Sequence, residues 1–366
     1  MLGLPIMSRQ AGFTPSIAMF LLGWLFMTTT ALCLLEVNLS FDDEVSLISM
    51  AERTLGLAGK VISWISFVFL FYALGVAYIA GTGELIAGFI HNGFGIAIPH
   101  WAGGLTVCIL FAGLVYLGTH SVVVFNKVLM AGLLVSYLSL VALGLPHIHL
   151  SYLQFKDWSI AYVVLPLTII SFGFHNMIPT ITQYLKRDAK KLRFSIFLGS
   201  LLPLFIYLLW ETVILGLVPA GQIGQNDMAT ELLKNVAGEL WATDAAQYFA
   251  LFAILTSFLG NSLSFVDFLA DGLRIKKTPA GKGYLCALVI IPAFIPAVFY
   301  PHIFLSALNY AGTYGAVILF GILPALMAWS GRYWQHSPHR QLVPGGKITL
   351  VSIILFAMGI ISLQFF

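Results

Sequence analysis

The apolar positions of this chain fall into long runs, and the polar positions gather between them. Runs long enough to cross a bilayer as a helix, about 20 residues, occupy 14–36, 61–90, 101–118, 122–145, 161–185, 194–218, 245–273, 284–300, 303–329 and 348–366. Apolar residues do not alternate with a period of two, so the pattern predicts helices and not a transmembrane barrel. Ten full spans leave one short apolar segment at 1–13, "MLGLPIMSRQAGF". As a helix it would reach about 20 Å, against an apolar core of about 30 Å.

Charge sets the orientation. Lys and Arg concentrate in alternate loops. These hold Arg53 and Lys60, then Lys186, Arg187, Lys190, Lys191 and Arg193, then Arg274, Lys276, Lys277 and Lys282, then Arg332, Arg340 and Lys347. Such loops are cytoplasmic, which puts the acidic loop 219–244 (Asp227, Glu231, Glu239, Asp244) and the C-terminus outside. The same parity makes 1–13 the outer part of an earlier helix. The expectation is a first helix truncated at its cytoplasmic half, which about 15–25 further residues would complete.

Composition agrees with a membrane protein. Of 366 residues 59% are hydrophobic and 9% charged, where soluble proteins are about a quarter charged. The chain reads as one polytopic membrane domain, 1–366, and its net charge of +3 points to no nucleic-acid partner. Cys33, Cys108 and Cys286 sit in apolar runs without metal-ligand spacing, and read as packing residues. An intramembrane enzyme would need a nucleophile–base pair or a metal cluster at depth, and the sequence offers neither. A receptor or scaffold would carry a soluble domain, and the longest loop is 219–244.

Polar residues inside the apolar runs carry the functional signal. "SFGFHNMIP" at 171–179 places Gly173, His175, Asn176 and Pro179 in mid-span. Proline removes a helix hydrogen bond and glycine loosens the backbone. Unwound backbone at that depth must face protein or a water-filled cavity. The stretch predicts an unwound segment over 172–177, with a plain proline kink and a packed His175 as the alternative. If 1–13 is span one, this is span six. The other segment interrupted by Gly and Pro, at Gly3 and Pro5, is then its counterpart in the first half. Paired breaks at matching places point to a transporter site between inverted repeats.

Glu84, in "YIAGTGEL", shares a helical face with Ala77, Ala80, Gly81, Ala87 and Gly88. That face packs into the bundle, which makes Glu84 a candidate for proton coupling; a structural hydrogen bond is the alternative. Span eight carries Ser257, Gly260, Asn261, Ser264, Asp267 and Asp271 on one broad face. Asp271 reads as the ion-pair partner of Arg274, and Asp267 as a deeper proton candidate. Glu211, beside Trp210, reads as interfacial.

"SFGFHNMIP", "YIAGTGEL", "TSFLGNSLSFVDFLAD", "LPHIH" and "YAGTYGAVILFGILPALMAW" together resemble the bacterial hydroxy/aromatic amino acid permeases, over essentially the whole chain. The tyrosine-specific members are the most similar. The resemblance implies an all-α integral membrane protein of the APC superfamily. Its leucine-transporter-like fold would be a 5+5 inverted repeat plus an eleventh helix, here with the first helix truncated. It also implies a symporter of the bacterial inner membrane that brings in tyrosine with protons, with tryptophan or serine/threonine as alternative cargo. The implied substrate region is Met1 and Leu2 at the span-one break, Phe172, Gly173, Phe174, His175 and Asn176 at the span-six break, and Tyr78 and Asn261 on spans three and eight. Glu84, His175 or Asp267 would take the proton. Two places depart from the family. Of its "GAGML" break only "ML" remains, and Leu133 stands where the tyrosine permeases carry a Lys, which keeps sodium as an alternative coupling ion. No cofactor, metal or obligate protein partner is implied; the partners are the amino acid and the lipid bilayer.

Overall fold

The computed structural model describes residues 2–43, 45–117, 119–217, 240–300, 302–335 and 341–365. Met1, Asp227, Glu231, Glu239 and Arg340, together with the side chain of Asp244, lie outside the described residues. The helices are α1 (Leu4–Ala11), α2 (Phe13–Leu39), α3 (Leu47–Phe94), α4 (His100–Leu117), α5 (Thr119–Gly144), α6 (Leu165–Ser171) and α7 (Ile178–Tyr184). They continue with α8 (Ala189–Leu217), α9 (Leu240–Gly272), α10 (Pro279–Phe299), α11 (Phe304–Tyr310), α12 (Leu323–Tyr333) and α13 (Gly346–Ser362). A π-helical stretch, Ala311–Ile322, joins α11 to α12. Among the described residues nine helical stretches are long and apolar enough to cross a membrane, and α13, also apolar, has 17 residues. These match the ten runs of the sequence.

α3 is longer than its apolar run, at 48 residues. Its first turns read as loop because Gly56, Arg53 and Lys60 interrupt the pattern, yet they are helical. Gly56 kinks the helix at φ 71°, ψ −158°. Ion pairs brace the turns around the kink, Arg53 to Asp43 at 2.6 Å and Lys60 to Glu52 at 3.0 Å. The bond from Arg53 holds the Asp43 carboxyl below the usual carboxylate range.

The chain divides into two compact units. The first takes in the chain up to Ile6, Phe71–Leu153 and Thr212–Leu308. Within it α9 packs on α5 and α10, and α4 on α5 and α10. Glycines let the backbones approach: Gly83 lies against the His100 carbonyl of α4, Gly104 against Ile79, and Gly132 against the Phe252 ring. The second unit takes in Met7–Leu70, Gln154–Glu211 and Asn309–Phe366. Within it α2 packs on α6, α7 and α12, while the π stretch packs on α6 and α13.

The corner between α1 and α2 rests on Gly12. Its φ is 87°, and an added Cβ would collide with the Phe155 carbonyl oxygen. The Asp157 amide donates to the Ala11 carbonyl at 2.7 Å, and the Ser16 hydroxyl to the Gly12 carbonyl at 2.7 Å. Gly12→Ala must therefore strain the backbone and push the 155–157 segment away. The expected cost is about 1–3 kcal/mol from strain alone, seen as a lower melting temperature in detergent. An unchanged melting temperature would show that the corner relaxes.

Candidate functional site

Span six is unwound where the sequence predicts. α6 stops at Ser171, Phe172–Phe174 are non-helical, His175–Met177 form a single 3₁₀ turn, and α7 starts at Ile178. Pro179 plays a different part from the one expected. It lies in the first turn of α7, where its missing N–H costs nothing, so it opens the second half-helix. Gly173 sits where a Cβ would come within 3.1 Å of the Ile170 carbonyl oxygen and 3.3 Å of the Phe320 ring. Short turn bonds carry the chain across, Gly173 N–H to Ile170 O at 3.2 Å and Met177 N–H to Phe174 O at 3.0 Å. A side chain meets one freed carbonyl: the Tyr207 hydroxyl donates to Ser171 O at 3.1 Å, and its ring takes Phe172 edge-on at 5.4 Å.

His175 is fully buried. Its Nε2 lies 2.9 Å from Thr30 Oγ1, whose hydroxyl donates to Met27 O at 3.1 Å. With that hydrogen committed, Nε2–H is the donor and Nδ1 carries the lone pair. The ring stacks on Phe320 at 4.8 Å and 12°. The alternative of a packed histidine is thus what the fold adopts. Phe172 is also buried, whereas Gly173 and Phe174 are half-buried and Asn176 is exposed. Of the five residues expected to meet substrate at the break, the geometry presents Gly173, Phe174 and Asn176 outward and folds Phe172 and His175 inward.

Phe320 belongs to the π stretch, so two rare backbone forms meet face to face. π-helical turns are uncommon and concentrate at functional sites. No period along the chain announces this one. An added Cβ at Gly312 would collide with the Pro166 carbonyl oxygen of α6.

In the first unit, Tyr78 and Glu84 are half-buried on α3, among buried Ala77, Ala80, Gly81 and Ala87. The Asn261 amide donates to Phe71 O at 3.2 Å, tying α9 to α3, and Phe71 stacks on Phe265 at 4.9 Å. The ion pair at the end of α9 is made by Asp267 with Lys277, at 2.8 Å, rather than by Asp271 with Arg274. Both partners are half-exposed, so Asp267 is less deep than its place in the stripe implied. Leu2 is buried.

In the second unit, Trp210 and Glu211 are fully buried within the protein. The sequence also missed an ion pair between Glu36 of α2 and Arg332 of α12, whose side chains are 8% and 5% exposed. Arg332 Nε donates to Glu36 Oε1 at 2.6 Å and Nη2 to Oε2 at 2.8 Å; the Leu342 amide adds a third donor at 2.7 Å. No group of three or more His, Cys, Asp or Glu is placed to hold a metal among the described residues.

An all-helical chain of membrane-length helices, with one span unwound in its middle, has the build of a solute transporter. It belongs to the tryptophan/tyrosine permease family, whose profile matches residues 1–364. It is a multi-pass aromatic amino acid permease and not an enzyme. It is 31% identical to the tyrosine-specific transport system 1 of Haemophilus influenzae, over all of this chain and 92% of that protein. It is 29% identical to a tryptophan-specific transport protein of Pseudomonas aeruginosa, over 98% and 89%. With the low affinity tryptophan permease of Escherichia coli it shares 26% identity, over 100% and 91%.

Proposed function

We propose that this permease imports tyrosine by proton symport across a bacterial inner membrane, with its C-terminus in the periplasm. The observation that carries the reading is the break at 172–177, in a chain that matches the tryptophan/tyrosine permeases over nearly its whole length. Unwound backbone there holds the substrate's carboxylate and ammonium, and positive half-helix ends favour the carboxylate. Phe174 packs on the ring of the substrate, and Asn176 lines its polar side. Glu84 carries the coupling proton. His175, fixed between Thr30 and Phe320, sets the shape of the break, and Asp267 anchors α9 through Lys277.

The arrangement we favour is a leucine-transporter-like 5+5 repeat plus an eleventh helix. The division into units supports it. Spans two and seven fall mainly in the second unit, and spans four, eight and nine with most of span three in the first. Three of the five pairs of matching helices therefore share a unit, while span five falls in the first unit and most of span ten in the second. Tryptophan is the second reading for the cargo, because relatives at 29% and 26% identity are named for it.

Uptake of labelled tyrosine into proteoliposomes, with and without a proton gradient and with unlabelled tryptophan, serine or threonine as competitors, tests the reading. Stimulation by the gradient and weak competition by tryptophan are expected; no stimulation would overturn the symport, and dominant competition by tryptophan the cargo. Phe174→Ala should raise KM for tyrosine about two- to tenfold, the worth of one aromatic pair, and leave any serine uptake near wild type. Phe172→Ala should lower uptake of every substrate alike, since that ring packs inward on Tyr207.

A further inference from the structure

α4 and α10 pack together within the first unit, and a recess of about 350 Å³ opens between them. Ala112 and Tyr116 line it from α4, and Gly283, Ala287 and Ile291 from α10. The three positions on α10 recur every four residues, so they share one helical face. Small residues at 112, 283 and 287 leave the space that larger ones would fill; an added Cβ at Gly283 would meet nothing within 4 Å. Tyr116 is 64% and Ile291 56% exposed, so the recess faces away from the protein.

Lys282 lines the same recess, from the first turn of α10. A cation there stands against the helix dipole, so the helix gives no reason for it. Lys282 is half-buried, and its ammonium forms no ion pair among the described residues. No acidic residue lines the recess. Of the acids at the end of α9, Asp267 is bound to Lys277 and Asp271 is exposed. An apolar slot with a spare cation at one end fits a ligand with an acyl chain and an anionic head. Ile291 lies nine residues after Lys282, about 14 Å along the helix, close to half of an apolar core of about 30 Å. The slot is therefore one leaflet deep.

We propose that this recess binds one anionic phospholipid, its phosphate held by Lys282 and the Tyr116 hydroxyl and one acyl chain lying along Ala287 and Ile291. Basic pockets between membrane helices recognise anionic headgroups, and tyrosine favours headgroup depth. Arg274, Lys276 and Lys277, in the loop before α10, add to the attraction. A helix from a second copy would cover Lys282 with apolar surface and leave its charge unpaired; a phospholipid brings the counter-charge. Under the orientation proposed above the leaflet is the cytoplasmic one.

The test is native mass spectrometry of the full chain in detergent, titrated separately with phosphatidylglycerol and with phosphatidylcholine of the same acyl chains. Wild type should hold its first phosphatidylglycerol about fivefold more tightly, the worth of one basic side chain near an anionic headgroup. Lys282→Gln should remove that preference and leave phosphatidylcholine unchanged. Lys276→Gln takes the same charge from an exposed site outside the recess and should keep the preference. Gly283→Leu keeps the charge, fills the recess and should weaken both lipids. Equal retention of the two lipids by wild type would overturn the proposal. So would an unchanged preference in Lys282→Gln, equal losses in Lys282→Gln and Lys276→Gln, or a dimer that neither lipid displaces. If Lys282→Gln does not survive extraction, Gly283→Leu decides alone: weaker phosphatidylglycerol binding supports the site, and wild-type binding overturns it.

Discussion

Glu84→Gln is expected to abolish tyrosine accumulation driven by a proton gradient while tyrosine exchange stays near wild type. Glutamine matches glutamate in shape and can hydrogen-bond in its place, but it cannot take up and release a proton. Glu84 is half-buried on α3, and the residues one turn either side of it, Ala80, Gly81 and Ala87, are buried. Gly81 is close enough to Ile254 and Phe304 that an added Cβ would crowd both. The substitution therefore keeps the packing and removes only the titration. Accumulation and counterflow assays on the same proteoliposomes separate the two effects. Full accumulation by the variant would take Glu84 out of the coupling, and loss of both activities would mean that the side chain supports the fold or the binding site.

Arg332→Ala should have the largest effect on stability, about 3–5 kcal/mol, because it leaves the Glu36 carboxylate buried without its two strongest donors. The Leu342 amide would remain, one neutral donor against a full charge. Replacing both partners, as in Glu36→Gln with Arg332→Met, should recover much of the loss, since no orphaned charge is then left. Chemical denaturation in detergent measures both variants. A single-variant loss near zero would mean that water reaches the pair.

How much of this was legible in the sequence depends on how far each interaction reaches along the chain. The break over 172–177 could be read because its cause is local: a glycine and polar residues interrupt an apolar run. Pro179 drew attention to the right place for the wrong reason, since a proline that begins a helix and one that kinks it look alike in a run of letters. The first turns of α3 were taken as loop because charge and glycine outweighed helical continuity. That Trp210 and Glu211 are enclosed by protein could not be read from a Trp–Glu pair near a span's outer end, because only packing shows it. The partner of Glu36 stands 296 residues away, and no local pattern announces it. Asp267 and Asp271 lie one turn apart on the same face; which of them reaches a lysine depends on how the chain turns after α9.

The two halves of span six are seven residues each. Helices that short leave the free N–H and C=O groups at the break without partners of their own, so neighbouring elements must supply them. What steadies them is Thr30, already made when span six leaves the ribosome, and Phe320, which is not. Unit two is closed by Asn309–Phe366, so its core stays incomplete until nearly the whole chain has been synthesised. During that interval span six waits in the bilayer as an apolar segment with an unsatisfied bend, the kind of species that membrane quality control removes. A stop codon anywhere before the π stretch would thus cost more than the missing helices. It would leave the transport break itself unfinished, and degradation of the fragment would be the first symptom.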